Sequence, residues 1–77
     1  MRMTDLAAMH AGESGTVTRL DGGTGASKRL EDMGIRPGVR VTKISGQIMH
    51  GPVIVGVGSA RLAIGHGMAR RVVVAAD

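Results

Sequence analysis

The chain has 77 residues and a formal net charge of +4 at pH 7, which predicts one small domain with a thin core and a mildly basic surface. The absence of cysteine excludes disulfides, thiolate metal sites and cysteine nucleophiles. The absence of Phe, Trp and Tyr excludes aromatic grooves for proline-rich peptides and base-stacking platforms for single-stranded nucleic acids.

The amino-terminal part of the chain predicts a short helix and then a bent strand. Thr4 is placed to cap a helix that carries Leu6 and Met9, and glycines mark the turn that follows. The first predicted strand covers residues 16–20. Its apolar side chains break the strict alternation of a regular strand, which predicts a bulge or a strong bend.

The next segment predicts a helix with one buried face and a glycine at its end. Ala26, Leu30 and Met33 recur at helical spacing, so we expect their side chains to pack into the core. Gly34 stands where a helix closes in the left-handed conformation, which glycine adopts without steric cost. Gly34 therefore marks the carboxyl end of this helix.

The second half of the chain predicts short strands joined by tight turns. Pro37-Gly38 supplies the turn into the first of them, and residues 65–69 have the length of one helical turn. The strands predicted here cover residues 39–44, 53–57, 61–64 and 70–74. The sequence thus predicts a mostly β fold with short helices, arranged as a small closed or nearly closed β-barrel of about five strands.

An ordered series of glycines and apolar residues runs along nearly the whole chain. Its clearest part extends from Arg29 to Val41, and it continues in Gly15-Thr16-Val17, in Gly51-Pro52 and in Leu62-Ala63-Ile64-Gly65. This series resembles the signature of the FeoA family, the small cytoplasmic proteins and domains associated with bacterial ferrous iron transport. The resemblance implies an SH3-like barrel that forms a single domain over residues 1–77.

The resemblance also implies a function and a partner. We expect a non-enzymatic accessory or regulatory protein that binds the cytoplasmic GTP-binding domain of a FeoB-like ferrous iron transporter. It should need no cofactor, insert into no membrane and self-associate weakly at most. The residues at Met1 to Asp5 and the short apolar run at Val53 to Val57, far below the ~20 residues that span a bilayer, agree with a soluble cytoplasmic protein.

Two other interaction classes stay open at the level of sequence. The net charge and the dispersed arginines would also suit a small basic barrel that binds nucleic acid through its phosphates, although no nucleic-acid partner is expected. Kinship with the SH3-like domain of iron-dependent repressors would predict a preceding helix-turn-helix segment, and the chain contains no such segment. Steep salt dependence of binding to generic duplexes would distinguish the first of these classes.

Two surfaces are candidates for partner contact. The first is the charged outer face of the predicted helix and the turn after it, and the second is an apolar loop tip ahead of Gly51-Pro52. The first comprises Lys28, Arg29, Asp32 and Arg36, and the second comprises Ile48 and Met49.

Metal binding and catalysis find little support in the residues. His10, His50 and His66 are the strongest candidate metal ligands, but their spacing does not converge on a metal from one element, so we expect ordinary surface histidines. The serines lie in turn or cap contexts, and the adjacent carboxylates of Glu31 and Asp32 cannot face one substrate from a helix. We therefore expect no catalytic residues.

Overall fold

The computed structural model describes residues 2–45 and 51–77 of the chain. These residues form a mostly β structure with two short helices, which confirms the predicted fold class. The elements in chain order are β1 (Arg2–Asp5), β2 (Ser14–Leu20), α1 (Gly23–Asp32), β3 (Arg40–Ser45), β4 (Val53–Val57), β5 (Ala60–Ile64), α2 (His66–Ala69) and β6 (Val72–Ala76).

The strands form one antiparallel sheet in the order β1-β6-β2-β3-β4-β5. Strands β1 and β5 are the two edges of this sheet, and no pairing between them closes it within the described residues. The bulge expected in the first predicted strand is confirmed, because the register between β2 and β6 shifts between Val17 and Arg19. Such a shift increases the local twist and bends the strand.

The amino-terminal helix predicted around Leu6 and Met9 is wrong. Residues 2–5 instead form β1, which pairs with β6 in a register that sets Thr4 opposite Val74. The chain then turns at Asp5 rather than at a Thr4 cap, because the Asp5 carboxylate accepts the backbone N–H of Ala8 at 2.9 Å. Leu6 and Met9 are nevertheless buried, because they belong to a turn that packs on the core.

The core lies on one face of the sheet and is entirely aliphatic or methionine. In β3 and β4 the buried residues alternate with less buried ones, as the pleat requires, and the α1 helix adds Leu30 to the same cluster. The buried cluster comprises Leu6, Met9, Val17, Leu30, Ile35, Val41, Val53, Val55, Ile64, Ala69, Val72 and Val74.

One charged side chain, that of Lys43 in β3, is buried with this core and has only 2% of its surface exposed. Its Nζ donates hydrogen bonds to the carbonyl oxygens of Ala7 at 2.8 Å and Met9 at 2.6 Å. Its backbone accepts the N–H of Gly12 at 2.7 Å and donates to the carbonyl of Glu13 at 2.9 Å. Lys43 therefore fastens the segment between β1 and β2 to the middle of the sheet.

Burial of the Lys43 ammonium carries an electrostatic cost. Removal from water lowers the pKa of Lys43 below its ordinary value, and the carboxylates of Asp5 and Glu13 oppose part of this effect. A buried cation of this kind is tolerated when its protons are satisfied by hydrogen bonds. The two carbonyl oxygens accept hydrogen bonds from two of its three N–H donors.

The carboxyl end of α1 forms a Schellman motif, which confirms the role predicted for Gly34. Gly34 has a φ of 91°, its N–H donates to the carbonyl of Glu31, and the N–H of Ile35 donates to the carbonyl of Leu30. Leu30 and Ile35 are both fully buried, so the apolar contact that accompanies this motif also anchors α1 in the core.

Met33 was expected in the core, and this prediction is wrong, because 38% of its surface is exposed. The helix ends at Asp32, so the helical spacing that relates Met33 to Leu30 no longer holds where the chain leaves the helix. Ile35 takes the buried position instead.

We predict that Lys43→Met lowers the free energy of unfolding by about 2–4 kcal/mol, since the Ala7 and Met9 carbonyls lose their buried donor. Lys28→Met is the matched control, because the Lys28 side chain is 74% exposed, and it should change stability by less than about 0.5 kcal/mol. Denaturant unfolding measures both variants. Equal stability of the two would contradict the role assigned to Lys43.

Two glycines of the α1 region allow a second matched comparison. Gly34→Ala should destabilise by about 1–2 kcal/mol, because alanine is strained at positive φ. Gly25 lies inside α1 and its φ is not positive, so Gly25→Ala should raise the free energy of unfolding by about 0.4–1 kcal/mol. A β-carbon meets nothing within 4 Å at either position, so backbone conformation alone should decide the sign, and thermal unfolding that shifts both variants in the same direction would refute this.

Candidate functional site

The outer face of α1 carries three of the charged residues predicted to contact a partner. Lys28 and Asp32 are one helical turn apart and form an ion pair with Nζ and Oδ1 at 3.7 Å, and both side chains are mostly exposed. Exposed pairs at this spacing contribute only a few tenths of a kcal/mol, about 0.3–0.5. The Lys28 and Asp32 side chains can therefore leave this ion pair and contact another molecule at little cost in stability.

Arg29 lies beside this pair on the same helix and is exposed. Its side chain makes no hydrogen bond or ion pair within residues 2–45 and 51–77. A guanidinium has five N–H donors in a fork that fits a carboxylate, so Arg29 presents a full set of donors to solvent. It is the strongest contact candidate on α1.

Arg36 belongs to the predicted charged surface, but the structure gives it a local role. Its guanidinium donates a hydrogen bond to the carbonyl oxygen of Glu31 at 3.0 Å. Cations near the last turn of a helix also interact favourably with its dipole. Arg36 therefore helps to end α1, in addition to being exposed at its surface.

Met33 is a surface residue that the sequence pattern assigned to the core. It lies one turn after Arg29. Its exposed thioether side chain is flexible and polarizable, which suits it to an adaptable contact surface. The signal that could have found it is Gly34, because a helix that closes at Gly34 places the preceding residue at its cap. We call Lys28, Arg29, Asp32 and Met33 the α1 surface.

The second predicted surface, Ile48 and Met49, lies outside the described residues, as does His50. The two other histidines are in separate elements. His10 is exposed before β2, and its backbone N–H donates to the Glu13 carboxylate at 2.7 Å, whereas His66 opens α2 and is half-buried. The described residues contain no group of three or more His, Cys, Asp or Glu side chains placed to hold a metal ion.

Electrostatic interactions near His10 concern the carboxylate of Glu13. Arg2 donates to it at 3.0 Å, and this hydrogen bond holds the pKa of Glu13 below its ordinary value. The contact joins β1 to the turn before β2. Lys43 forms hydrogen bonds to the same connecting segment.

Neither helix in the described part of the chain has the length and apolar character of a membrane span.

Comparison with known proteins gives a consistent result. The model of the FeoA domain matches residues 4–76. The chain is 39% identical over 72 residues to the "Putative Fe(2+) transport protein A" of Methanocaldococcus jannaschii, and the match covers 94% of this chain and 85% of that protein.

Two solved structures extend the similarity to the fold. A crystal structure described as an iron uptake regulatory protein (FeoA) is 36% identical, covers 99% of this chain and 100% of that one, and superposes with a TM-score of 0.92. FeoA of Stenotrophomonas maltophilia, complexed with zinc and described as a procaryotic SH3 domain protein, is 26% identical over 94% of this chain and 89% of that one, with a TM-score of 0.80. The SH3-like fold implied by the sequence is thereby confirmed.

The hydrogen bond of Arg36 to the helix end leads to a prediction about stability. Arg36→Ala should lower the free energy of unfolding by about 0.5–1 kcal/mol, because the Glu31 carbonyl loses a donor. Arg29→Ala, which removes no internal contact in the described residues, should be nearly neutral. Urea unfolding of both variants tests this, and a larger loss for Arg29→Ala would overturn the assignment.

Proposed function

Because the chain belongs to the FeoA domain family, we propose that it is an accessory protein of ferrous iron uptake that binds the cytoplasmic GTP-binding part of a FeoB-like transporter. The protein acts without catalysis, in the cytoplasm, by occupying a surface of the transporter. The α1 surface is the contact that we assign to this binding.

The support for the process comes from the relatives. The Methanocaldococcus jannaschii protein is named for Fe(2+) transport, and the Stenotrophomonas maltophilia protein is described as possibly acting as a ferrous iron transport activating factor. Both matches extend over most of this chain, so the similarity concerns the whole domain. An accessory role in the same process is the simplest function to carry over.

The support for the contact surface comes from α1. Arg29 offers an unengaged guanidinium, Met33 offers exposed apolar area, and the Lys28–Asp32 pair is weakly held. Arginine and methionine are both enriched at protein interfaces relative to the rest of a surface. The Schellman motif fixes the helix end, so these side chains project from a rigid support.

A rigid contact surface of this kind suits a regulator. A protein that binds one conformation of the GTP-binding part more tightly than the other shifts the balance between them by the ratio of the two affinities. This role requires no active site in the accessory protein. The direction of the shift follows from which nucleotide state the α1 surface prefers.

We predict that Arg29→Glu weakens binding to the isolated cytoplasmic part of the transporter by at least about tenfold, since an attractive charge becomes repulsive at the contact. Ferrous iron uptake in cells that carry the variant as their only copy should fall in parallel. Calorimetry with the purified transporter fragment and a radiolabelled iron assay measure the two effects.

Arg70→Glu is the matched control, because it makes the same change of charge at an exposed position at the end of α2. It should leave binding and uptake within about twofold of the wild type. Equal effects of the two variants would indicate general charge attraction. Wild-type protein that fails to bind the transporter fragment in any nucleotide state would refute the proposed function itself.

A further inference from the structure

A second surface lies on the outer face of strands β3, β4 and β5, on the side of the sheet opposite the buried core. The pairing registers set Ser14, Thr42, Gly56 and Arg61 in one row across four strands. The row has no side chain at Gly56, and the gap opens a groove of about 420 Å³.

Backbone geometry does not explain the glycine in this row. Gly56 is absent from the positive-φ glycines, so any residue could adopt its conformation. A β-carbon at this position would stand 3.2 Å from Cδ1 of Ile44, which is closer than side chains normally approach. Gly56 therefore leaves room for the Ile44 side chain, and both residues line the groove.

The walls of the groove are basic. Arg40 and Arg61 both line it, and none of the acidic side chains in the described ranges does. Within residues 2–45 and 51–77 the Arg61 side chain has no hydrogen bond or ion pair, so its guanidinium is available. A basic concave surface with one available guanidinium group is complementary to a ligand that carries carboxylates.

One of the two arginines already binds a carboxylate. The Arg40 guanidinium contacts both carboxylate oxygens of Asp77, with Nη1 and Oδ1 at 2.8 Å, and it also donates to the Thr16 hydroxyl at 3.2 Å. This hydrogen bonding holds the pKa of Asp77 below its ordinary value. The pair shows the geometry in which this face of the sheet accepts a carboxylate.

The groove also borders an open sheet edge. Strand β5 pairs with β4 on one side and with no strand on the other within the described residues. It has five residues, contains no proline and carries one charge, Arg61, so it lacks most of the features that prevent an edge from pairing. An extended segment can therefore add its backbone hydrogen bonds to those of side chains in the groove.

We propose that the free edge of β5 binds an extended acidic peptide segment of another protein, which pairs with β5 and places its carboxylates beside Arg61, on the face of the sheet that carries the groove. The site is distinct from the α1 surface and does not depend on the transporter being the partner. Its specificity is for alternating acidic and apolar residues, because successive side chains of a strand point to opposite faces. The acidic side chains then lie on the face of Arg61, and the apolar ones lie on the face of Leu62 and Ile64, which pack with the core.

The test uses a synthetic peptide of alternating glutamate and valine with blocked ends, titrated into the whole protein by NMR and calorimetry. We expect saturable binding, with amide shifts concentrated in β5. Arg61→Glu should weaken binding by at least about tenfold, because the acidic side chains then meet a like charge. The matching peptide with glutamine in place of glutamate should bind at least about tenfold more weakly.

Arg29→Glu is the matched control, because it changes the net charge equally on α1 and should leave peptide binding unchanged within about twofold. Arg61→Gln, which removes the charge with little change in side-chain size, covers the case in which Arg61→Glu unfolds, as checked by thermal melting. Binding that falls equally in Arg29→Glu, or shifts confined to other strands, would overturn the proposal. Failure of this test would leave the transporter contact untouched, since that contact is measured with Arg29→Glu on a different ligand.

Discussion

The packing of the amino-terminal third of the molecule depends on one buried ammonium group. Lys43 stands in the middle of the sheet, yet its side chain and backbone together make four hydrogen bonds to the segment that joins β1 to β2. That segment has no regular structure of its own, so its carbonyl groups need donors from elsewhere when they are covered. Lys43, on strand β3, donates hydrogen bonds to the carbonyl groups of Ala7, Met9 and Glu13. The result is a connection held by polar contacts on one side and by Leu6 and Met9 in the core on the other.

The two proposed contact surfaces differ in how they are supported. The α1 surface rests on a helix that is anchored by Leu30 and Ile35 and closed by the Schellman motif, so its position is fixed through buried apolar contacts. The groove rests on strand pairing, because β3, β4 and β5 place Thr42, Gly56 and Arg61 side by side. One molecule of this size can thus present a rigid helix face and an open sheet edge at the same time. The first suits a preformed surface on a partner, and the second suits an extended segment.

Much of the fold could be predicted from local sequence. The bounds of β4, the positive φ of Gly34 and the bulge in β2 all follow from short-range patterns, and each is confirmed. Strand β1 could not be predicted in this way, since residues 2–5 have no alternating pattern and become a strand only through pairing with β6 at the other end of the chain. Local patterns cannot report a partner that is distant in sequence.

The candidate sites also combine features that follow from local sequence with features that depend on distant parts of the chain. The exposure of Lys28, Arg29 and Asp32 follows from helical periodicity, but the hydrogen bond of Arg36 to Glu31 depends on the exact path of the turn. The groove at Gly56 had no signal in the sequence, because a glycine in a strand indicates a gap only when its neighbours on both sides are known. Lys43 was likewise beyond prediction, because alternation places it on the inner face but the carbonyls that receive it come from another part of the chain.

The aliphatic core has a practical consequence for the study of its complexes. A molecule whose interior is filled by Leu, Ile, Val, Met and Ala, with no aromatic ring anywhere in the chain, neither absorbs nor fluoresces appreciably in the near ultraviolet. Any tryptophan signal in a mixture then belongs to the partner alone. Association can therefore be followed through the partner's intrinsic emission, without labels and without background from this protein, at concentrations where the complex is only partly formed.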